Sequence, residues 1–308
     1  MRAALDDYVD AARAGIVEMA PKTVVTTRSA ATTMRTVELP DGRVFGDIAL
    51  SKLRWEDIEL LYQTLRQAGR SAAPVRRKAT VLAQALDRAR KRGLLDHNPA
   101  RDAARPKLVR TKPHSPAAAE VDAVVAAAAT MDAEIADAVV ILAGTGMRMG
   151  ELLGLQWTEV DLSILVVVVC WSITDGGPGV GILRKPTKRS DWRDVPLTTA
   201  ASAALRRQAQ RNRERFALEP GQGHYVFPGL RGPDVPHRPD TFGDRWVAAR
   251  GESPTTFQHL RHYVATTMLD AGEDYRTVAD ILGNSETTLR LHYDGRTNLD
   301  KRRAISAL

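Results

Sequence analysis

Three stretches of this chain hold residue types whose spacing points to phosphate chemistry. Thr145-Gly-Met-Arg148-Met-Gly-Glu151-Leu-Leu-Gly-Leu155 sets an arginine just after a glycine-rich break at a helix start. There the guanidinium and the free backbone N–H groups can face one anion together. Gln258-His-Leu-Arg261-His262 sets a polar side chain and a second arginine three residues apart, on one helical face. Leu282-Gly-Asn284-Ser opens a short segment that ends in a phenol, Tyr293. A cationic cluster, Arg184, Lys185, Lys188 and Arg189, lies between the first and second stretches. Other chemistries lack their parts. One cysteine, Cys170, and seven scattered histidines do not make a zinc set. Neither the Gly-x-x-x-x-Gly-Lys phosphate loop nor the Gly-x-Ser-x-Gly elbow occurs.

The elements that must position these residues fall into two parts. Arg105-Pro-Lys-Leu-Val-Arg-Thr-Lys-Pro-His-Ser-Pro116 has three prolines, four cations and no apolar period, so 105–116 reads as a basic, extended linker. Before it, 1–104 reads as a small basic helical bundle. Leu53–Gln67 carries Ile58, Leu61 and Leu65 at helical spacing, and Ala73–Arg92 carries Val75, Ala79, Leu82, Leu86 and Ala89 on one stripe, closed by Gly93. Arg76, Arg77, Lys78, Arg88, Lys91 and Arg92 lie off that stripe. After the linker, 117–308 reads as mostly helical with a small antiparallel sheet inserted early. The spacing predicts one alanine-rich helix over Ala118–Leu142 and another over Met149–Gln156. Strands are predicted at Ser163–Ile173, Gly181–Arg184 and Arg193–Leu197, with helix from Thr198 onward, interrupted by a Gly/Pro-rich loop at Glu219–Pro239. The fold class is therefore mainly α with a small antiparallel β-sheet.

Composition narrows the partners. The 308 residues, 44% hydrophobic and 26% charged, are ordinary for a globular chain of one or two domains. A lone cysteine excludes an internal disulfide and fits a reducing compartment. The longest apolar run, Ile164–Trp171, is far short of the ~20 residues of a membrane helix, and no signal peptide is visible. The formal charge is +7 and is unevenly spread: residues 1–110 hold 21 Lys and Arg against 13 Asp and Glu, while 111–308 hold 23 against 24. A basic first part beside a nearly neutral second one suits a module that grips a polyanion and another that acts on it locally.

At the residues quoted first, the chain resembles the tyrosine recombinase family, the phage-integrase and Xer-type enzymes. Thr145–Trp157 is similar to the family's first-arginine box, and Lys188-Arg-Ser-Asp-Trp-Arg-Asp-Val-Pro-Leu197 to its β-hairpin lysine stretch. Gln258-His-Leu-Arg261-His resembles the His-x-x-Arg box, and Leu282-Gly-Asn284 through Tyr293 the Leu-Gly-His box with its nucleophile nine residues on. The N-terminal part, down to Asn98-Pro-Ala, resembles the family's core-binding domain. The resemblance covers nearly the whole chain. It departs at two positions: Gln258 stands where the family usually has histidine, and Asn284 where it usually has histidine or tryptophan. Both amides hydrogen-bond, but neither is a general base near neutral pH.

The resemblance implies a site-specific recombinase or integrase that cleaves and rejoins DNA through a 3′-phosphotyrosine on Tyr293. Arg148 and Arg261 would stabilise the phosphate transition state, Lys188 or, failing it, Lys185 would protonate the departing 5′ oxygen, Gln258 and Asn284 would complete the catalytic set, and Glu151 would buttress Arg148. It implies no cofactor and no metal. It also implies double-stranded DNA core sites gripped by a two-domain clamp, a tetramer on DNA with a monomer or weak oligomer off it, an accessory DNA-bending protein in some settings, no membrane, and a cytoplasmic, nucleoid-associated location. Arg76, Arg77, Lys78, Arg88, Lys91 and Arg92 would face the duplex. The length leaves no obvious further N-terminal domain, and the apolar end Ala304-Ile-Ser-Ala-Leu308 is a candidate for docking on a neighbouring protomer. Two alternatives stay open: a weakened or inactive DNA-binding member of the same family, and an unrelated basic transcription regulator.

Overall fold

The computed structural model describes residues 1–108, 114–177, 179–187 and 192–293, with the side chains of His292 and Tyr293 excepted. Lys188, the Tyr293 side chain, the tail from Asp294 and the middle of the linker lie outside the described residues. The chain divides into two compact units, Met1–Thr111 with Gly176–Val180, and Lys112–Asp175 with Gly181–Leu308.

The first unit is built on four helices, α1 (Arg2–Arg13), α2 (Pro21–Arg35), α3 (Trp55–Gln67) and α4 (Ala72–Lys91). On α4 the predicted stripe is the buried one: Val75, Ala79, Leu82 and Leu86 are fully buried and Ala89 nearly so, as are Ile58 and Leu61 of α3. Gly93 (φ +72°) closes α4, with the Leu94 N–H reaching back to the Ala89 carbonyl. Asn98 ties the next turn to α4: its amide donates to the Ala83 carbonyl (2.9 Å) and Asp87 (2.6 Å) while its oxygen caps Ala100. The sequence reading assigned neither of the first two helices, although Leu5, Tyr8, Val9 and Ala12 of α1 stand at helical spacing and are buried. The N-cap residues of α1 and α2, Met1 and Ala20, make no side-chain cap, and α2 is a threonine-rich segment with a weak apolar face.

The second unit begins with α5 (Ala118–Met131) and α6 (Ala133–Thr145), where one helix was predicted. The correction lies at Asp132, whose backbone is extended (φ −157°, ψ 94°) and whose carboxylate accepts the Ile135 N–H at 3.1 Å as an N-cap. Alanine continuity masks that break. A short helix, α7 (Met149–Gly154), follows and ends before the predicted Gln156. The predicted long strand is likewise two: β2 (Val166–Val169) and β3 (Trp171–Asp175), joined at Cys170 and preceded by β1 (Val160–Asp161). With β4 (Ile182–Pro186) and β5 (Arg193–Pro196) they form two small antiparallel sheets, β1-β2-β5 and the hairpin β3-β4. In the first, Val167 lies opposite Val195 and Val169 opposite Arg193. Five helices complete the unit: α8 (Thr199–Phe216), α9 (Pro239–Ala249), α10 (Phe257–Asp270), α11 (Tyr275–Leu282) and α12 (Glu286–Tyr293).

α6 is the central post of this unit. Ile135, Ala138, Val139, Ile141 and Leu142 are all fully buried, in one core with Leu152, Leu153, Val167, Leu205, Phe227, Phe242 and Leu260. Its C-terminus therefore stands at a fixed depth, and the residues after it inherit that position. Among the described residues no helix is long and apolar enough to cross a membrane.

Candidate functional site

The site starts where α6 stops. Gly146 closes the helix in the left-handed region (φ +65°), and a Cβ there would lie 2.3 Å from Leu282 and 3.2 Å from Val264. Glycine is thus required both by backbone angle and by the close approach of α10 and α11. Two residues on, Arg148 is the N-cap of α7. Glu151 in the first turn accepts the Arg148 backbone N–H (3.0 Å) and its Nη1 (2.8 Å), so one carboxylate orients both the helix start and the guanidinium.

Arg261 enters from α10, whose start is set by Thr256 capping the His259 N–H at 3.2 Å. The Arg261 residue is only 3% exposed, and its guanidinium is held by backbone: Nη1 donates to the Gly146 carbonyl at 2.8 Å and Nη2 to the Leu282 carbonyl. Both carbonyls lie at helix C-termini, where acceptors are left over and cations are favoured. Asn284 follows the α11 cap Gly283 (φ +62°), its own N–H returning to the Ala279 carbonyl at 2.9 Å.

These elements converge on one atom. Oδ1 of Asn284 accepts Nη2 of Arg148 at 2.8 Å and Nη2 of Arg261 at 2.9 Å. Two guanidinium groups from distant parts of the chain thus aim at a single oxygen, an arrangement that favours an anionic oxygen in the same neighbourhood. The Arg148 side chain is 41% exposed, so an external anion can reach it. A cavity of about 100 Å³ opens here, lined by Arg148, Gln258, Arg261, His262, Asn284 and Thr288 among others. That is well under the ~300 Å³ of small-molecule pockets, and suits one group of a larger substrate better than a whole small ligand.

The sequence-derived candidates distribute as follows. Arg148, Gln258, Arg261 and Asn284 come together, with Glu151 (3% exposed) behind Arg148. Tyr293 is the last residue of α12, whose Thr288 lines the cavity; its side chain, like Lys188, lies outside the described residues. Lys185 is half-buried on β4 opposite Ser172 and is not among the described cavity-lining residues. His259 turns away: its ring packs edge-on against His114 at 5.0 Å, and burial, with repulsion from His114 and Arg250, holds its pKa below the usual histidine value.

Two residues escaped the sequence reading. His262 lines the cavity one helical turn after Gln258, a position that i to i+4 spacing assigns to the same face. Arg193 of β5 donates to Glu151 (Nη2 to Oε2, 2.5 Å) and to the Ile281 carbonyl (Nε, 2.9 Å). The available signal was strand alternation: Val195 is buried, so Arg193 shares the inward face, where an arginine implies a carboxylate partner.

The six candidate cations, five on α4 and Arg92 just after it, are not equivalent. Arg88 pairs with Asp7 of α1 at 2.6 Å and Arg92 pairs with the same carboxylate, while Arg76 donates to the Pro106 carbonyl at 3.1 Å. Arg77 and Lys91 are exposed. Lys78 is partly buried, and that burial, with the nearby Arg70 and Arg77, lowers its pKa. A positive surface around Arg70, Arg77 and Lys78 is therefore less compensated than the Arg88–Arg92 end.

Residues 117–295 match the sequence profile of the phage integrase family. A tyrosine recombinase XerC of Chlorobaculum parvum is 33% identical over 153 residues, which are 48% of this chain and 41% of that protein, so the match spans less than half of the curated relative's length. Among solved structures, the Tn1549 transposon integrase in complex with transposon right end DNA superposes with a TM-score of 0.76 at 19% identity, covering 98% of this chain and 99% of that one. A lambda integrase tetramer bound to a Holliday junction gives 0.64 at 18% identity, covering 93% and 76%. At these identities the structural likeness establishes the fold.

Proposed function

The chain belongs to the phage integrase family, and from that premise we propose that it is a site-specific DNA recombinase that cleaves and rejoins strands through a 3′-phosphotyrosyl linkage on Tyr293. The observation that carries this reading is the convergence of Arg148 and Arg261 on the Asn284 oxygen. In the reaction the Tyr293 phenol gives its proton to His262 as its oxygen bonds to the scissile phosphorus. The bond from phosphorus to the 5′ oxygen breaks, and that oxygen takes a proton from Lys188, with Lys185 as the alternative donor. Charge accumulates on the non-bridging oxygens, where two oriented guanidinium groups stabilise it best. Gln258 and Asn284 serve as hydrogen-bonding groups. His262, an imidazole at the same cavity, supplies the proton-exchanging group that the two amides do not. The tyrosyl phosphodiester conserves the energy of the broken bond, so rejoining requires no cofactor.

In this reading residues 1–104 form the core-site binding domain, 105–116 the linker and 117–308 the catalytic domain, acting on double-stranded DNA in the cytoplasm at the nucleoid. Arg77 and Lys78, beside Arg70, make the main phosphate contacts, with the exposed Lys91 as a further one. The tetramer seen for lambda integrase on a Holliday junction supports a tetramer as the working assembly, with an accessory DNA-bending protein where the site requires one.

A duplex carrying its target site with a nick beside the cleavage position tests the proposal, because release of the short fragment traps the covalent complex on a denaturing gel. The wild-type chain is expected to give the shifted band and Tyr293→Phe to give none. Sequence-specific DNA binding with no trapped band would instead favour a non-cleaving member of the family, the reading that the amides at 258 and 284 motivate.

A further inference from the structure

We infer that Arg193 is a positioning residue that sets the charge of the Arg148–Glu151 pair and ties it to the turn carrying Asn284. This rests on the reading that Arg148 contacts the scissile phosphate. The Arg193 side chain is only 10% exposed, projecting from β5 opposite Val169. Its Nη2 reaches Oε2 of Glu151 at 2.5 Å, and its Nε reaches the Ile281 carbonyl at 2.9 Å. The guanidinium also lies flat against Gly283, where a Cβ would come within 2.8 Å of Nη1 and 3.1 Å of Cζ. Gly283 directly precedes Asn284, the residue on which Arg148 and Arg261 converge. One side chain therefore joins the strand within the lysine stretch, the helix start that holds Arg148, and the turn that presents Asn284.

The electrostatic consequence follows from counting charges. Glu151 alone with Arg148 would form a neutral pair, leaving little net attraction for a phosphate. With Arg193 sharing the carboxylate, the three groups carry a net positive charge, and Arg148 keeps its pull on an incoming anion. Glu151 is 3% exposed. Burial by itself raises its pKa, yet Arg193 and Arg148 outweigh burial and hold it below the usual carboxylate range. The charged groups acting on it are Arg193 from β5 and Arg148 from its own turn, with Arg261 of α10 linked through Asn284. Among the described residues, the nearby uncharged groups include the Ile281 carbonyl of α11, which Arg193 also holds, and Ser172 of β3 beside Gly150.

The test measures Glu151 directly, by carbon-detected NMR titration of its carboxyl group, assigned with Glu151→Gln. In Arg193→Gln the Glu151 titration is expected to move up by about one pH unit or more. In Arg193→Lys, which keeps a cation, it is expected to stay within about half a unit of wild type. An unmoved titration in Arg193→Gln overturns the inference. In the covalent-trapping assay at saturating DNA, Arg193→Gln is expected to slow adduct formation roughly 100-fold, with the acid limb of the rate moved to higher pH. Arg193→Lys, less prone to disturb the fold, is expected to slow it roughly 10-fold without moving that limb. An Arg193→Lys rate equal to wild type overturns the positioning role even if Arg193→Gln does not fold. A wild-type protein that never forms the adduct defeats the recombinase reading, while the NMR titration still decides the role of Arg193.

Discussion

Two clusters of cations in this molecule, one along α4 and one at the second unit's cavity, are built in opposite ways. Along α4 the basic side chains lie on the surface, some answered by Asp7 and others exposed, and their positions follow from a helix needing a solvated face opposite its apolar stripe. In the second unit Arg261 is buried, and backbone carbonyls and a shared amide oxygen fix its direction; Arg148 is fixed by Glu151 and the same amide. The difference separates attraction from orientation. Surface cations attract a polyanion anywhere along its length and are weakened by salt. Oriented, partly desolvated cations act at one point and are already arranged when charge develops there.

That contrast is most exposed to failure at the oriented pair. Arg148→Ala and Arg261→Ala are each expected to lower single-turnover cleavage by ~10²–10³-fold at saturating DNA, measured as the rate of adduct formation. Arg261→Ala is also expected to destabilise the second unit by roughly 2–3 kcal/mol, because the carbonyls of Gly146 and Leu282 lose their donor. Equal melting temperatures for the two variants would contradict the distinction drawn between them. Gly146→Ala is next in size. The left-handed backbone and the 2.3 Å approach of Leu282 together are expected to cost ~2–4 kcal/mol, read by denaturant unfolding.

A smaller effect is expected on α4. Arg77→Gln combined with Lys78→Gln should weaken DNA binding and reduce the slope of log K against log salt by about one per cation removed, with the cleavage rate of the saturated complex unchanged. Loss of cleavage rate with an unchanged salt slope would reverse the assignment of the two clusters. The smallest effect is that of pH on stability. Glu151 has its folded-state pKa below the ordinary value of 4.5, so its contribution is present above that value and is lost as pH falls through the depressed one. Glu151→Gln should therefore flatten the acid side of the stability–pH curve, and an unchanged acid slope would contradict the ion-pair account.

How far each cluster could be read in advance depends on whether its signal is local. The α4 stripe was legible because Val75, Ala79, Leu82, Leu86 and Ala89 repeat at helical spacing with nothing to compete, and Arg148 and Arg261 were legible through the short patterns around them. Breaks inside uniform runs were not: Asp132 splits an alanine-rich stretch by capping, and Cys170 divides a continuous apolar run between two sheets, β2 pairing with β5 and β3 with β4. The threonines of α2 hid a helix that only tertiary packing stabilises. Arg193 was only faintly legible, for a related reason. Its meaning comes from Glu151 and Ile281, contacts that strand alternation hints at and the fold alone supplies.

The most direct test of two guanidinium groups acting on one phosphate is to remove the charge they are held to neutralise. A nicked duplex whose scissile position carries a methylphosphonate, which lacks one negative oxygen, should be cleaved by Arg148→Ala far more nearly at the wild-type rate than the ordinary phosphodiester is. An equal loss on both substrates would contradict the account, because Arg148 would then matter for something other than the charge on that phosphate.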